Sequence, residues 1–356
     1  MEVFINGRFL TQRITGVQRV AHQIVKALDQ KAKDLSFNIT ILTPEPIDHD
    51  QLPLKNIAIK KVGFLKGHLW EQLNLPFYSR GNVLIDFCNT GPILKRKQIV
   101  YLHDASIYSQ PDGYSKKFIL WYKFLYTFLS RFSQRVITVS HFSKDELIKF
   151  LPSLKEKTKV THIAANHFDK VGTDESVLSQ YHIDKNNYLL AVSSLHPNKN
   201  FKIILEALEK METFKGQVVI AGNNDNKVFS KVNFDNSENV KMVGYVTDEQ
   251  LKSLYQNAKG FIFPSLYEGF GLPPLEAMSQ GCPVIASTAA SIPEVCSYGA
   301  LYFDPYDAND LINQINRLFN HEDEYKSLRE QGLRRSKEFS WEKTTDGLIE
   351  EIKSML

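Results

Sequence analysis

Residues 260–287 read "GFIFPSLYEGFGLPPLEAMSQGCPVIAS", and this stretch decides the fold. The apolar run "GFIFPS" is typical of a buried strand, and "PVIAS" predicts a second one. Between them, a loop with two glycines leads to a predicted helix that begins near Pro274 and ends at Gly281. A strand, a helix and a strand in this order predict two parallel strands joined by a crossover.

The same alternation runs through the chain on both sides of that stretch. After a predicted loop near residues 166–185 the series restarts, which predicts two doubly wound α/β domains facing each other across a cleft. We expect domains at 1–168 and 169–335, followed by a helix at 336–356 that crosses back to the first domain. The other predicted strands are "EVFIN", "NITILTP", "NVLIDF", "QIVYLHD", "RVITVS", "YLLAVSS", "GQVVIAG" and "NVKMVGYV", and the clearest other helices are "GVQRVAHQIVKALDQ", "NFKIILEALEKM", "DEQLKSLYQNA" and "SWEKTTDGLIEEIKSML".

Two glutamates in the opening stretch are candidate ligand-binding residues. Glu276 is expected in the first helical turn, where its alternative role is to stabilise its own helix dipole. Glu268 precedes the helix in the glycine loop, where that explanation does not apply. A carboxylate can accept two hydroxyl hydrogen bonds, which suits a vicinal diol, and free N–H groups at a helix start bind phosphate. Together these groups suit a nucleotide-sugar. The stretch is not the G-x-G-x-x-G dinucleotide motif, because Pro274 stands at the third glycine.

Composition and charge set the class of protein. The chain has 356 residues, 43% of them hydrophobic and 23% charged, as in globular domains. It shows no secretory signal, no spanning apolar run and no metal-type cysteine spacing, so we expect a cytoplasmic protein with buried thiols. Residues 1–168 hold 24 Lys+Arg against 13 Asp+Glu, whereas the remainder holds 19 against 27. Either the two halves attract each other, or the first half approaches something anionic such as a membrane surface.

Six motifs in order resemble one known family. "EGFGLPPLEAMSQGCPVIAS" followed by "SIPEV" is similar to the E-x7-E signature of the family 4 retaining glycosyltransferases, which have the GT-B fold. The resemblance extends over nearly the whole chain, through "ITGVQRVAHQI", "YLHDAS", "VITVSHFSKDEL", "SSLHPNKNFKIILEAL" and "FSWEKTT".

The resemblance implies roles for the residues of the donor loop. Glu276 would bind the nucleotide ribose, and Glu268 would lie beside the transferred sugar. Backbone N–H groups would meet the sugar or diphosphate, and Lys199 would neutralise the leaving group; its alternative is a solvated loop lysine. Asn198 is a departure, because relatives often have Arg there. The donor-binding residues implied in this way are Gly16, Asn198, Lys199, Phe270, Gly271, Leu272 and Glu276.

The resemblance also assigns residues outside the donor loop. His103 would contact the donor sugar and Asp104 the acceptor, although a lone histidine after a strand is more often structural. Trp70 and Glu71 are expected to be structural, with an acceptor role as the alternative. The implied catalytic residues are Glu268, His103 and Lys199. No metal ion and no cofactor are expected, and the mechanism would be same-face transfer in which a departing phosphate oxygen takes the acceptor's proton.

The function predicted from the resemblance is retaining transfer of a hexose from a nucleoside-diphosphate sugar to a hydroxyl of a growing, lipid-linked surface polysaccharide. Mannose is favoured, with rhamnose as an alternative. Two further hypotheses stay open: a GT-B sugar-nucleotide epimerase, which needs no acceptor, and a non-catalytic nucleotide-sugar-binding subunit. No nucleic-acid partner is expected.

Residues 114–135 combine aromatic and basic side chains in the basic half of the chain. At helical spacing, Phe118, Trp121, Leu125, Phe128 and Phe132 form one stripe, which predicts either a core helix with a solvated basic edge or an interfacial membrane contact. The second hypothesis places the protein at the inner face of the plasma membrane.

Overall fold

The computed structural model describes residues 1–48, 52–192, 196–211, 214–222 and 239–356. The chain forms two compact units: unit 1 is Met1–Ile163 with Ser340–Leu356, and unit 2 is Ala164–Phe339. The first predicted boundary, after residue 168, falls instead after Ile163, because Phe168 is buried in the core of unit 2 beside Tyr255. The second, after residue 335, falls after Phe339.

Unit 1 contains a seven-stranded sheet whose strand pairs are all parallel, in the order β3-β2-β1-β4-β5-β6-β7. The strands Val83–Asp86 and Gln98–Tyr101 are buried at every residue, and so on both faces, which is why they read as largely apolar runs. The strands are β1 (Glu2–Asn6), β2 (Asn38–Thr43), β3 (Ala58–Lys61), β4 (Val83–Asp86), β5 (Gln98–Tyr101), β6 (Arg135–Thr138) and β7 (Thr158–Val160).

Helices surround this sheet, and the last helix of the chain is one of them. They are α1 (Gly16–Lys31), α2 (Gly67–Leu69), α3 (Leu75–Tyr78), α4 (Ser106–Ser109), α5 (Lys116–Phe132), α6 (His141–Phe150) and α14 (Trp341–Lys353). A π-helical turn, Trp70–Asn74, joins α2 to α3, so residues 67–78 form one helical segment. α14 packs on α1, where Lys31 forms an ion pair with Asp346, and its Trp341 and Leu348 are buried.

Unit 2 contains a six-stranded parallel sheet in the order β10-β9-β8-β11-β12-β13. The strands are β8 (Tyr188–Val192), β9 (Gln217–Ala221), β10 (Val240–Gly244), β11 (Gly260–Phe263), β12 (Val284–Ser287) and β13 (Ala300–Phe303). Its helices are α7 (Ser176–Gln180), α8 (Phe201–Lys210), α9 (Asp248–Asn257), α10 (Leu272–Ser279), α11 (Ile292–Cys296), α12 (Ala308–Asn320) and α13 (Glu322–Ser336).

Both sheets reverse their strand order at one place, between β1 and β4 in unit 1 and between β8 and β11 in unit 2. Such a switch point leaves a crevice outside the carboxyl ends of the two strands, where open α/β sheets bind ligands. The prediction of two doubly wound α/β sheets is confirmed. The last two residues of the predicted strand "YLLAVSS" lie outside the described residues.

None of the described helices combines the length and the hydropathy that a bilayer-spanning segment requires.

Candidate active site

The loop that follows β11 is held in place by hydroxyl groups from the next strand and helix. Ser287 donates to the Ser265 carbonyl oxygen at 2.6 Å. Ser291 donates to the carbonyl oxygens of Glu268 and Phe270 at 2.9 and 3.0 Å. These bonds fix the backbone on both sides of Glu268 at the switch point of the sheet.

α10 begins at Leu272, two residues before the predicted start at Pro274. The first-turn N–H groups of a helix have no partner within it, so Pro273 and Pro274 remove no hydrogen bond there. The preceding Gly271 has φ of 100°, a left-handed conformation that side chains disfavour. A ligand at the start of α10 would therefore meet the backbone beside a glycine, with no Cβ atom in the way at Gly271.

Glu276 lies in the second turn of α10, not in the first turn as predicted. It is buried, and its carboxylate contacts the Tyr255 hydroxyl, which donates at 3.3 Å, and the His167 Nε2 atom at 3.5 Å. A helix-dipole role required the first turn, so the position of Glu276 argues against that alternative. A buried carboxylate held by two side chains is instead a preorganised hydrogen-bond acceptor.

Lys199 and Glu268 form an ion pair that sequence reasoning did not predict. Lys199 Nζ lies 2.7 Å from Glu268 Oε1, and both side chains are largely buried. Leu266 N also donates to the Asn198 carbonyl oxygen at 2.7 Å, which brings the chain at Asn198 and Lys199 against the loop after β11. No sequence spacing reveals this contact, since 69 residues separate the partners.

The predicted donor residues of unit 2 thus share one edge of its sheet. Lys199 and Glu268 lie at the switch point, Phe270 and Gly271 lead into α10, and Glu276 follows one turn later. Asn198 contributes its backbone carbonyl oxygen to the loop contact. Positive charge, the start of a helix and two carboxylates in one place suit a sugar linked to a diphosphate.

His103 follows β5 in unit 1 and is buried. Its Nε2 atom donates to the Phe87 carbonyl oxygen at 2.8 Å, which leaves Nδ1 as an acceptor. Burial lowers the pKa of His103, outweighing this hydrogen bond and the nearby Asp104 carboxylate, which act in the opposite direction. The imidazole is therefore neutral near pH 7. Asp104 accepts from Ser106 N at 2.8 Å and is half-buried.

Gly16 is the first residue of α1 and is exposed. A Cβ atom at this position would meet nothing within 4 Å. The internal packing of the protein therefore does not require glycine at this position.

The switch point of unit 1 is occupied by a buried polar cluster that sequence reasoning missed. Glu71 pairs with Arg8 Nε at 3.2 Å and accepts from Asn6 and Thr90 at 2.8 Å. Asn6 also donates to Asp86 at 2.8 Å. Glu71 was expected to be structural with an acceptor role as the alternative, and these bonds give it a structural role. Trp70 is fully buried and donates to the Val62 carbonyl oxygen at 2.7 Å.

The pKa values of the two buried carboxyl groups of this cluster are shifted in opposite directions. Burial and the adjacent Glu71 charge raise the pKa of Asp86. Burial also acts to raise the pKa of Glu71, but hydrogen bonds from His68, Asn6 and Thr90 and the charge of Arg8 together lower it. The raised pKa of Asp86 and the lowered pKa of Glu71 favour a single negative charge, on Glu71, opposite the Arg8 guanidinium.

Comparisons with known proteins agree with this geometry. Residues 175–335 match the family model described as glycosyl transferases group 1. The chain is 31% identical over 269 residues to O-antigen chain mannosyltransferase B of Escherichia coli, covering 72% of this chain and 70% of that protein. It is 30% identical over 233 residues to O-antigen chain mannosyltransferase RfbU of Salmonella typhimurium, covering 65% and 63%.

Solved structures share the fold. Sucrose-phosphate synthase from Thermosynechococcus elongatus has a TM-score of 0.74 at 16% identity, with 99% of this chain and 98% of that chain covered. The Anabaena protein Alr3699/HepE, in complex with UDP and glucose, has a TM-score of 0.74 at 17% identity, with 99% of each chain covered. The chain belongs to the group 1 glycosyltransferase family, and the predicted family and fold class are confirmed.

Proposed function

We propose that the protein transfers a hexose, with mannose favoured, from a nucleoside-diphosphate sugar to a hydroxyl of a lipid-linked surface polysaccharide, with retention at the anomeric carbon. The observation that carries this proposal is the Lys199–Glu268 pair at the switch point, next to the start of α10. The relatives named as O-antigen mannosyltransferases support mannose and a surface polysaccharide. The Anabaena neighbour, also solved with UDP-glucose, supports the donor class.

The donor would place its diphosphate against Lys199 and the N–H groups of Phe270, Gly271 and Leu272. Departure of the diphosphate is the demanding step, and fixed positive groups aimed at the developing charge lower its barrier. Glu268 holds the Lys199 ammonium in position and lies beside the transferred sugar. The departing phosphate oxygen takes the proton of the attacking hydroxyl on the same face, so Glu268 positions groups and forms no covalent bond.

Glu276 would accept hydrogen bonds from the ribose diol of the nucleotide. Tyr255 and His167 fix the carboxylate before the ligand arrives, so little ordering remains to be done on binding. In unit 1, Gly16 and His103 remain assigned to the donor and Asp104 to the acceptor, as proposals that substitutions can test.

The division of labour between the two carboxylates can be tested by calorimetry. Glu276→Gln keeps the shape of the side chain, and it should weaken binding of the free nucleoside diphosphate at least tenfold. Glu268→Gln should leave that affinity within threefold and lower kcat instead. An unchanged nucleotide affinity in Glu276→Gln, with an unchanged Tm, would refute the ribose role.

The sugar and the reaction type can be tested together. A thermal-shift screen of nucleotide-sugars at about 100 times Kd should raise stability by about 2.7 kcal/mol for the true donor. Product analysis with that donor should show a glycosylated acceptor. Conversion of the donor to another nucleotide-sugar without acceptor would favour the epimerase instead, and binding without any turnover would favour the non-catalytic subunit.

A further inference from the structure

The 67–78 helical segment of unit 1 carries an apolar row on its solvent side. Leu69, Leu73 and Phe77 are 63%, 62% and 71% exposed, and their spacing of four residues places them on one face. Single exposed apolar residues are ordinary on soluble proteins. Three exposed apolar side chains in a row bury little apolar surface in the folded chain. They therefore contribute little hydrophobic stability to unit 1, and their presence needs another explanation.

The opposite side of the same segment already fulfils the structural role. Trp70 and Leu75 are fully buried in the core under β2 and β4, and Glu71 holds the polar cluster with Arg8. Asn74 fixes the start of the segment by accepting from Leu65 N at 3.0 Å. The exposed side chains of Leu69, Leu73 and Phe77 are therefore not required for the folding of unit 1.

Two neighbouring segments of unit 1 extend this apolar surface. The His68 ring lies 5.5 Å from the Trp121 ring of α5, and α5 exposes Leu120 and Phe124. Gln72 binds the backbone on both sides of the turn before Leu94, donating to the Gly91 carbonyl oxygen at 2.8 Å and accepting from Ile93 N at 3.0 Å. Leu94 is 76% exposed.

The arrangement on α5 differs from the predicted stripe. The buried residues of α5 are Leu125, Tyr126, Leu129 and Ser130, so the inward face is rotated from the predicted one. Phe118 is exposed, whereas Phe128 and Phe132 are half-buried in an aromatic ladder with Phe124, at ring distances of 4.6 and 6.0 Å. The outer edge of α5 is thus more apolar than a solvated helix face usually is.

The charge around this surface is mostly positive. Residues 52–103 contain eight Lys+Arg and two acidic residues, Glu71 and Asp86, and both of these are fully buried. Lys116 and Lys117 at the start of α5 are exposed. Lys66 is paired with Glu45 at 2.9 Å, but the Lys66 side chain is exposed and that of Glu45 is partly exposed.

We propose that the outward face of the 67–78 helical segment, with Leu94 and the outer edge of α5, docks on an anionic phospholipid bilayer. Apolar side chains beside lysines and arginines are the composition that interfacial binding requires. A second copy of the chain fits less well, because a two-fold interface would bring this basic surface against itself. The inference rests on the lipid-linked acceptor of the proposed function and names the surface that reaches it.

Vesicle sedimentation of the full-length protein tests the proposal without any sugar. The wild type should bind vesicles of phosphatidylglycerol and phosphatidylcholine at low salt, and bind pure phosphatidylcholine at least tenfold more weakly. Leu69→Ser, Leu73→Ser and Phe77→Ser combined should lower binding to the anionic vesicles at least tenfold. A matched control combines Tyr245→Ser and Tyr306→Ser, which remove rings that are equally exposed on unit 2.

Two further combined variants test whether the position of the basic residues matters for vesicle binding, or only the net charge of the protein. Lys116→Glu, Lys117→Glu and Lys123→Glu combined should lower binding at least tenfold, whereas Lys202→Glu, Lys210→Glu and Lys326→Glu make the same change of net charge on unit 2 and should not.

Equal binding by the wild type and the serine variant would overturn the proposal, as would equal effects of the two glutamate sets. A wild type that binds no vesicles but self-associates through the same leucines would show a protein interface instead. Transfer to a soluble acceptor stays intact in each of these cases if the proposed function holds, so the two proposals can fail separately.

Discussion

Lys199 and Glu268 neutralise each other while no diphosphate is bound. Burying an ammonium group without a partner would cost free energy of folding. The ion pair with Glu268 therefore explains how Lys199 can stay charged and largely buried at the switch point. Under the proposed function, a diphosphate would have to compete with Glu268 for Lys199. The affinity for the donor would then be set partly by this internal pair.

The catalytic role proposed for Lys199 can be separated from a general effect of charge. Lys199→Ala should lower kcat by about 10²–10³, the usual effect of removing one electrostatic group from a developing anion. Lys202→Ala is the control, because Lys202 is exposed on α8 and pairs with Glu206 at 2.7 Å. Steady-state kinetics of both variants test this role. Equally small decreases of kcat in the two variants would show that Lys199 does not take part in catalysis.

Gly16 and Gly7 give a matched pair of substitutions. Gly16→Ala places its Cβ in open space and should leave the free energy of unfolding unchanged within about 0.5 kcal/mol. Gly7→Ala brings Cβ to 2.6 Å from the Leu42 carbonyl oxygen and should destabilise by about 1–3 kcal/mol. Loss of donor affinity in a fully stable Gly16→Ala protein supports ligand contact there. Normal affinity would mean that glycine serves only the turn.

The pKa of His103 should lie below the ordinary histidine value, because burial lowers it. Its folded-state pKa is lowered by burial, so the unfolded chain takes up a proton first as the pH falls. The stability contributed by neutral His103 is therefore complete above the unfolded pKa and is lost as the pH falls below it. Histidine NMR, assigned by comparison with His103→Asn, should place the His103 midpoint below the ordinary histidine value of about 6.5. A midpoint near 6.5 would contradict the burial argument.

Among the elements, the start of α10 shows what pattern reasoning can and cannot supply. "GFGLPP" correctly predicts a glycine followed by a helix. The pair of prolines, however, suggests a helix start at Pro274 instead of Leu272, and this places Glu276 in the first turn of the helix instead of the second. On α5, spacing alone selects the wrong face, because aromatic side chains occupy several faces at once. β3 (Ala58–Lys61), β7 (Thr158–Val160) and β13 (Ala300–Phe303) were not predicted. β3 is mostly exposed and β7 has three residues, too few for a period.

α14 should support unit 1 through a close contact at Gly347. A Cβ there would lie 3.2 Å from Thr161 Oγ1, so Gly347→Leu should destabilise unit 1 by about 1–3 kcal/mol. Lys343→Leu, an exposed site on the same helix, is the control and should stay within about 0.5 kcal/mol. Urea denaturation measures both. The nucleotide affinity of Gly347→Leu under native conditions should be unchanged, because Gly347 lies outside unit 2.

At the scale of the molecule, both sheets could be predicted from alternating apolar and amphipathic runs, because buried parallel strands leave that signal. Lys199 with Glu268 and Arg8 with Glu71 could not be predicted as contacts. Such pairs depend on how loops from distant strands meet at a sheet edge, and single-sequence periodicity says nothing about loops.

Electrostatic stabilisation by Lys199 and the start of α10 also predicts that turnover needs no divalent ion. Transfer assayed after dialysis against EDTA should retain at least most of its rate. Complete loss of activity, restored by manganese or magnesium, would move the electrophilic role from these residues to a metal ion.

The two sheets have the same strand order at their switch points, yet they should not be equivalent as binding sites. In unit 1 the carboxyl ends of β1 and β4 are closed by Asn6, Arg8, Glu71 and Asp86, and the remaining cavity of about 10 Å³ has room for one water. Entry of a nucleotide there would break a buried ion pair, at a cost of about 3–5 kcal/mol. Titration should therefore give a stoichiometry of one nucleotide per chain. A fold that occurs twice in the molecule would carry a single occupied crevice, with the other filled by its own side chains.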